Sequence, residues 1–300
     1  MKGIFKLFSS LLLLALFAAT AQAQTVFEGT KDWHSSNHSA WKIEPQAMQN
    51  YVIMGNRFFE PNNNTLYMSE FNEFANFNSW TRAHVTGQNL QTFWKSFTKS
   101  TYPVGFFAVA AATNGTQAYA ILTNATGQKL WDRVSALPFG MQYGGVTPAS
   151  NGGYMAAGSN NNGDLAVSRF DAYGVEVWTN EYTVSGFGWT IKAASGGGYV
   201  IAGTREVIRI DLDGNLVWSR TLNLPVSPDG SAYSYTEFEE ILPLSGEQGF
   251  VVTGSAFSNQ TSGVYTARLT WSGGVSWIKI NDAVNTSLPG TPVAWVNNAV

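Results

Sequence analysis

Three histidines, His34, His38 and His84, are the chain's whole supply of imidazole, and it has no cysteine. His34 and His38 stand four apart in "HSSNH". On a helix that spacing would put both rings on one face, as a metal site requires. The Ser and Asn between them read as loop instead, and no acidic third ligand is near in sequence. "DLDGN" (211–215) offers Asp211, Asp213 and Asn215 as oxygen donors, the opening of a calcium loop. The bidentate Glu that closes such a loop is missing. "EFEE" (237–240) alternates on a strand, so Glu237 and Glu239 share a face while Glu240 points away. Paired carboxylates are what glycoside hydrolysis needs; a solvated strand face is the plainer account. No G-x-S-x-G elbow supports a serine nucleophile. The sequence therefore assigns no catalytic residue, no metal ligand and no cofactor site.

A different chemistry is open to flat rings set beside amides. They stack on the apolar face of a sugar and bond its hydroxyls, or they anchor a protein partner. Tyr143, Asn160, Asn161, Asn162, Phe187, Trp189, Tyr233 and Tyr235 supply those groups. They form one ligand-binding site only if the fold gathers them, so the elements that carry them have to be read next.

The chain repeats itself. Gly-x-x-x-Trp occurs at Gly127/Trp131, Gly174/Trp178, Gly214/Trp218 and Gly273/Trp277, with Asn76/Trp80 as a degenerate first copy. Asn124, Asp171, Asp211 and Thr270 stand three residues before those glycines. Asp or Asn at position i with Gly at i+3 marks a type I turn, because the side chain accepts a backbone N–H and Gly tolerates positive φ. Upstream of each Trp lies a second anchor: "NYVIMG" (50–55), "GFFAVA" (105–110), "GGYMAAG" (152–158), "GGYVIAG" (197–203) and "QGFVVTG" (248–254). Each is a turn followed by an aromatic and small or β-branched residues, which reads as a buried strand. One unit thus holds four short strands, A to D, and recurs every ~40–60 residues without helical periodicity. The expected fold is all-β, a β-propeller of four-stranded antiparallel blades, five recognisable plus the start of a sixth in "TPVAWVNNAV" (291–300). Either that last segment helps to close a five-bladed ring, or the chain is cut from a larger one; the missing strands B to D favour the second.

In such a blade the B–C and D–A connections share one face of the ring. That gathers the Asn160–Asn162 loop with the D–A aromatics, and it predicts Trp189 and Tyr235 exposed beside that loop. Trp80, Trp131, Trp178, Trp218 and Trp277 fall on the outer strands, where each would seal the joint with a neighbouring blade.

With those residues in hand, "TNATGQKLW" (123–131) resembles the tryptophan-docking motif of pyrroloquinoline-quinone-type propellers. "GGYVIAG…IRIDLDGNLVW" (197–218) is similar to the repeats of bacterial secreted propellers, many of them displayed at the cell surface. The resemblance covers residues 48–284 and implies the fold, not an activity. No acidic and basic set for binding quinone carries across to this sequence.

Composition bounds the rest. Lys2 and Lys6, an apolar stretch from Leu11 to Ala18, and Ala21-Gln22-Ala23 make residues 1–23 a cleavable signal peptide. Residues 24–300 are then the propeller domain, with no run long enough for a transmembrane helix. Without cysteine a secreted domain has no disulfides and must be held by its core, and 44% apolar residues supply one. Charge is sparse at 12%, with a net charge of −3 and no basic stripe, which excludes nucleic acid as a partner. The expectation is a secreted or cell-surface, non-catalytic binding or adhesion module for an extracellular glycan or protein. The alternative is a carbohydrate-active enzyme, glycosidase or lyase, on the same scaffold.

Overall fold

The computed structural model describes residues 38–45, 50–59, 63–71, 78–84, 90–91, 96–101, 103–112, 117–135, 142–160, 162–186, 189–224, 233, 235–245, 248–257 and 262–282. These form five antiparallel sheets and no helix. The first contains β1 (His38–Pro45), β2 (Tyr51–Phe59), β3 (Asn63–Phe71) and β4 (Asn78–His84). In the second, β5 (Leu90–Gln91) and β6 (Phe97–Thr101) lie along the same edge of β7 (Val104–Ala112), followed by β8 (Ala118–Asn124) and β9 (Lys129–Val134). The third holds β10 (Gln142–Pro148), β11 (Tyr154–Ser159), β12 (Asp164–Phe170) and β13 (Glu176–Ser185). The fourth holds β14 (Thr190–Ala193), β15 (Tyr199–Ala202), β16 (Glu206–Ile210) and β17 (Leu216–Thr221). The fifth holds β18 (Tyr235–Pro243), β19 (Phe250–Phe257), β20 (Ser262–Leu269) and β21 (Val275–Asp282). Strand order follows chain order in every sheet, and the leading strands β1, β6, β10, β14 and β18 pack against one another in succession. This is the β-propeller arrangement.

The second and third strands read as continuous apolar runs because both of their faces are covered. Along β7, Phe106, Ala108 and Ala110 pack towards the first sheet while Phe107 and Val109 pack towards the third. The core is therefore a series of slabs between consecutive sheets, each side chain assigned to a slab by the two-residue period of a strand.

Each slab is closed at its outer end by a tryptophan seated on a glycine. The Trp80 ring lies under Gly127 of the next sheet. A Cβ at Gly174 would fall 2.5 Å from the Trp131 ring, one at Gly214 2.9 Å from Trp178, and one at Gly273 2.9 Å from Trp218. The same glycines have φ between 69° and 85°. One residue type thus serves the turn and the neighbouring sheet at once, which is why Gly and Trp recur at a fixed spacing. Trp277, on the last outer strand, is half-buried with Lys279 Nζ 5.5 Å from its ring centre.

The inner strands are irregular at one level. Register shifts fall between Ala40 and Lys42, Tyr143 and Gly145, and Phe238 and Glu240, beside pairings with Gly55, Gly158 and Gly254. Those glycines end the second-strand motifs, and they leave room for the bulging inner strand: a Cβ on Gly254 would collide with the Glu237 carbonyl. The bulge corrects the expected alternation of "EFEE". Glu237 is half-exposed, but Glu239 is 4% exposed and Glu240 reaches Lys192 on β14, with Nζ to Oε1 at 2.9 Å.

Candidate ligand face

The turns between second and third strands meet the links to the following sheet at one end of the ring. Gly186 N–H donates to the Gly163 carbonyl at 3.1 Å, and Leu222 N–H donates to Arg205 at 2.9 Å. The Asn160–Asn162 loop and the residues around Trp189 are therefore neighbours, as the blade reading requires.

Their roles differ from the expectation. Asn160 is 6% exposed, and its Oδ1 accepts the N–H groups of Asn162 and Asp164 at 2.9 Å each. Its Nδ2 donates to Glu181 Oε2 at 2.8 Å. With Gly163 at φ 83°, residues 160–163 repeat the Asx turn found at 124–127, 171–174 and 211–214. The rule that located those turns also reads "NNNG", where the run of amides had suggested a ligand loop. Asn162 is exposed at the turn's tip, and Asn161 lies outside the described residues.

Trp189, expected on the surface, is fully buried in the slab between the third and fourth sheets. Its ring covers Gly203, and its Nε1–H donates to Ser159 Oγ at 3.1 Å. Ser159 in turn donates to the Gly186 carbonyl at 2.9 Å. Tyr233 is also buried, at 5% exposure, in the slab between the fourth and fifth sheets. Both rings sit where a blade core needs bulk, so their apolar area goes to the fold and not to a ligand. Tyr143 and Tyr235 lie on β10 and β18, with side chains outside the described residues, as is Phe187.

The other candidates resolve as follows. Asp211 is consumed by its own turn: Oδ1 accepts from Asp213 N and Asn215 N, and Oδ2 from Asn215 Nδ2, at 2.8–2.9 Å. These bonds, the Asn215 side chain's first, hold its carboxyl below the ordinary range. Of the histidines, His34 lies outside the described residues and His38 on β1 with its side chain outside them. His84 ends β4, 4% exposed, and its Nε2 has no hydrogen-bond partner among the described residues. Among the described residues no three His, Cys, Asp or Glu side chains gather as metal ligands, and no helix is long and apolar enough to cross a membrane.

One recurrent device escaped the sequence reading. Arg169, Arg209 and Arg268 stand directly across from Trp178, Trp218 and Trp277. Each guanidinium holds carbonyls of its own sheet's first turn: Arg169 with Gly152, Arg209 with Ser195 and Gly197 at 3.1 and 3.2 Å, Arg268 with Gln248 at 3.4 Å. Arg209 also reaches the Trp271 carbonyl at 2.8 Å, which Trp218 Nε1–H shares at 3.0 Å. The signal was present as Arg two residues before each turn opener, in "SRFD", "IRID" and "ARLT".

No protein-family model matches the chain, and no curated protein matches it. Solved structures do. The chain is similar to a functionally unknown protein from Desulfotomaculum acetoxidans DSM 771, at 13% identity over 84% of this chain and 76% of that one, with TM-score 0.51. It is similar to a protein assigned as an exo-β-1,3-galactanase from Bifidobacterium bifidum s17, at 11% identity over 88% and 95% of the two chains, with TM-score 0.50. A protein of unknown function from Bacteroides caccae matches at 10% identity over 82% and 94%, with TM-score 0.49. At these identities the likeness is one of fold, and the fold is the β-propeller.

Proposed function

We propose that the chain is an exported, non-catalytic binding module that engages an extracellular glycan or protein through the rim around residues 160–163 and 186–189. The supporting observation is the bonded underlayer of that rim. Trp189, Ser159 and Gly186 form one chain of hydrogen bonds, and Asn160 clamps its own turn, so exposed Asn162 and Glu181 stand on fixed backbone. A surface already held in place loses little conformational entropy when it binds. Residues 1–23 serve as the export signal in this reading, and the protein is secreted or held at the cell surface. Kinship with quinoprotein-type secreted propellers belongs to the same proposal, supported by the Gly-x-x-x-Trp ladder.

A carbohydrate-active enzyme is the second reading, favoured by the carboxylates at the inner-strand bulge, Glu237, Glu239 and Glu240. A glycan array probed with residues 24–300, as monomer and as streptavidin-linked tetramer, separates the two. The binding reading expects monomer affinity for one sugar on the order of millimolar, a large gain on tetramerisation, and loss of signal in Asn162→Ala or Tyr235→Ala. Sugar release that disappears in Glu239→Gln would establish the enzyme reading instead. Binding that ignores both rim variants moves the site elsewhere on the ring, and silence on every glycan turns the proposal to a protein ligand.

A further inference from the structure

The fourth residue after each docking tryptophan lies on the same face of its strand and enters the same seam. In the first four sheets these residues are His84, Ser135, Tyr182 and Leu222, exposed by 4%, 5%, 8% and 1%. Three of the four suit a buried position. Ser135 Oγ donates to Glu176 Oε2 of the next sheet at 2.7 Å, Tyr182 OH donates to the Gly214 carbonyl at 2.6 Å, and Leu222 is apolar. His84 is the exception, buried with no partner for Nε2 among the described residues.

The charges around His84 make a proton there costly. Arg82 precedes it on β4; across the seam, Lys129 and Asp132 of β9 pair with each other at 2.9 Å. Tyr119 of β8, whose hydroxyl donates to Gln117 Oε1 at 2.9 Å, titrates above its usual range and stays neutral in acid. A protonated His84 would be a third cation, and Asp132, the one carboxylate near it among the described residues, is already held by Lys129.

We propose that the seam between the first and second sheets is an acid-operated joint: protonation of His84 unseats Trp80 from the Gly127 turn while the other three described seams stay shut. Burial, aided by Lys129 and Arg82 and opposed by Asp132, pushes the closed-state imidazole down from 6.5 to about 4. Above pH 6.5 the ring is neutral whether the joint is closed or open, and the joint is at its most stable. As pH falls from there towards 4, the open form takes up a proton that the closed form refuses, so opening is favoured progressively. The whole window is worth on the order of a hundredfold in the closed-to-open ratio. An opened joint presents the faces carrying Met54, Met68, Phe97 and Phe106, an apolar surface available only in acid.

Hydrogen–deuterium exchange on residues 24–300 between pH 7 and pH 4, corrected for intrinsic rates, tests this. Protection should fall on the order of a hundredfold in β3, β4 and residues 119–134, and far less in β16, β17, β20 and β21. His84→Leu, the residue used at the same position in the fourth sheet, should abolish that selective loss. Uniform loss over all sheets, or selective loss that persists in His84→Leu, overturns the proposal. Should the variant fail to fold, the His84 ring is followed by NMR in the unmodified chain. A midpoint well below 6.5 that moves with the exchange supports the joint, and an ordinary midpoint sinks it.

Discussion

The third and fourth sheets match at their outer ends and differ at the rim. At the outer end, Asp171–Gly174 and Asp211–Gly214 repeat the same hydrogen bonds, the same positive φ and the same tryptophan seat. At the rim, the third sheet turns through Asn160–Gly163, while the fourth turns through Gly203–Glu206 with Gly203 N–H donating to Glu206 at 3.0 Å. The outer turns are alike because each is a contact surface for the sheet before it, so a change in one must suit two sheets. The rim turns answer to their own sheet and to the packing beneath them. Repetition therefore marks residues that build the ring, and departure from repetition marks the places open to a local role. His84 shows the same principle inside a seam: among the four equivalent buried positions it is the one whose polar atom has no partner among the described residues.

The contrast is open to direct attack. Trp189→Ala carries the largest expected loss, about 4 kcal/mol in chemical denaturation, because a fully buried ring leaves a cavity and removes the donor to Ser159. A loss within about 0.5 kcal/mol would return Trp189 to the ligand rim. Taking the protein from pH 7 to pH 4 should cost about 3 kcal/mol through His84 alone. Melting temperatures of the unmodified chain and His84→Leu should therefore diverge as the solution is acidified, the unmodified chain losing stability that the variant keeps, and a difference that stays constant with pH would show that His84 is not the source.

Gly174 and Gly152 then separate the seat from the turn. Both have positive φ, 78° and 84°, but a Cβ on Gly152 meets nothing within 4 Å while one on Gly174 meets Trp131. Gly152→Ala should cost about 1 kcal/mol for backbone strain and Gly174→Ala about 2–3 kcal/mol for strain plus displacement of the ring. Equal costs would show that Trp131 yields freely and that the seat adds nothing. The smallest pair lies at the rim. Asn160→Ala should lose about 1–1.5 kcal/mol with its clamp, whereas Asn162→Ala should change stability by less than about 0.5 kcal/mol. A destabilising Asn162→Ala would deny that residue the freedom a ligand contact needs.

The four-strand unit, its strand order, its turn positions and the seats of Trp80, Trp131, Trp178 and Trp218 were legible in the chain because local rules govern them, whereas the added strand β5 was not. A two-residue period places side chains, Asp or Asn with Gly three residues later makes a turn, and a spacing kept through successive units announces a repeated contact. The exposure of Trp189 and Tyr233 was not legible, since a lone aromatic in a connecting segment looks the same whether it caps a core or faces solvent. The inner-strand bulge was hidden as well. Nothing in "EFEE" says that one residue will step out of register opposite Gly254 and carry Glu239 inward while Glu240 reaches Lys192. His84 and Arg82 were visible in sequence, yet the burial of the imidazole and the approach of Lys129 and Asp132 arise only when β9 of the second sheet lies against β4. Turns and strands are settled by residues a few positions apart, so the sequence alone determined them. Burial and titration depend on what a different sheet brings to the same point in space, so only the tertiary structure decided them.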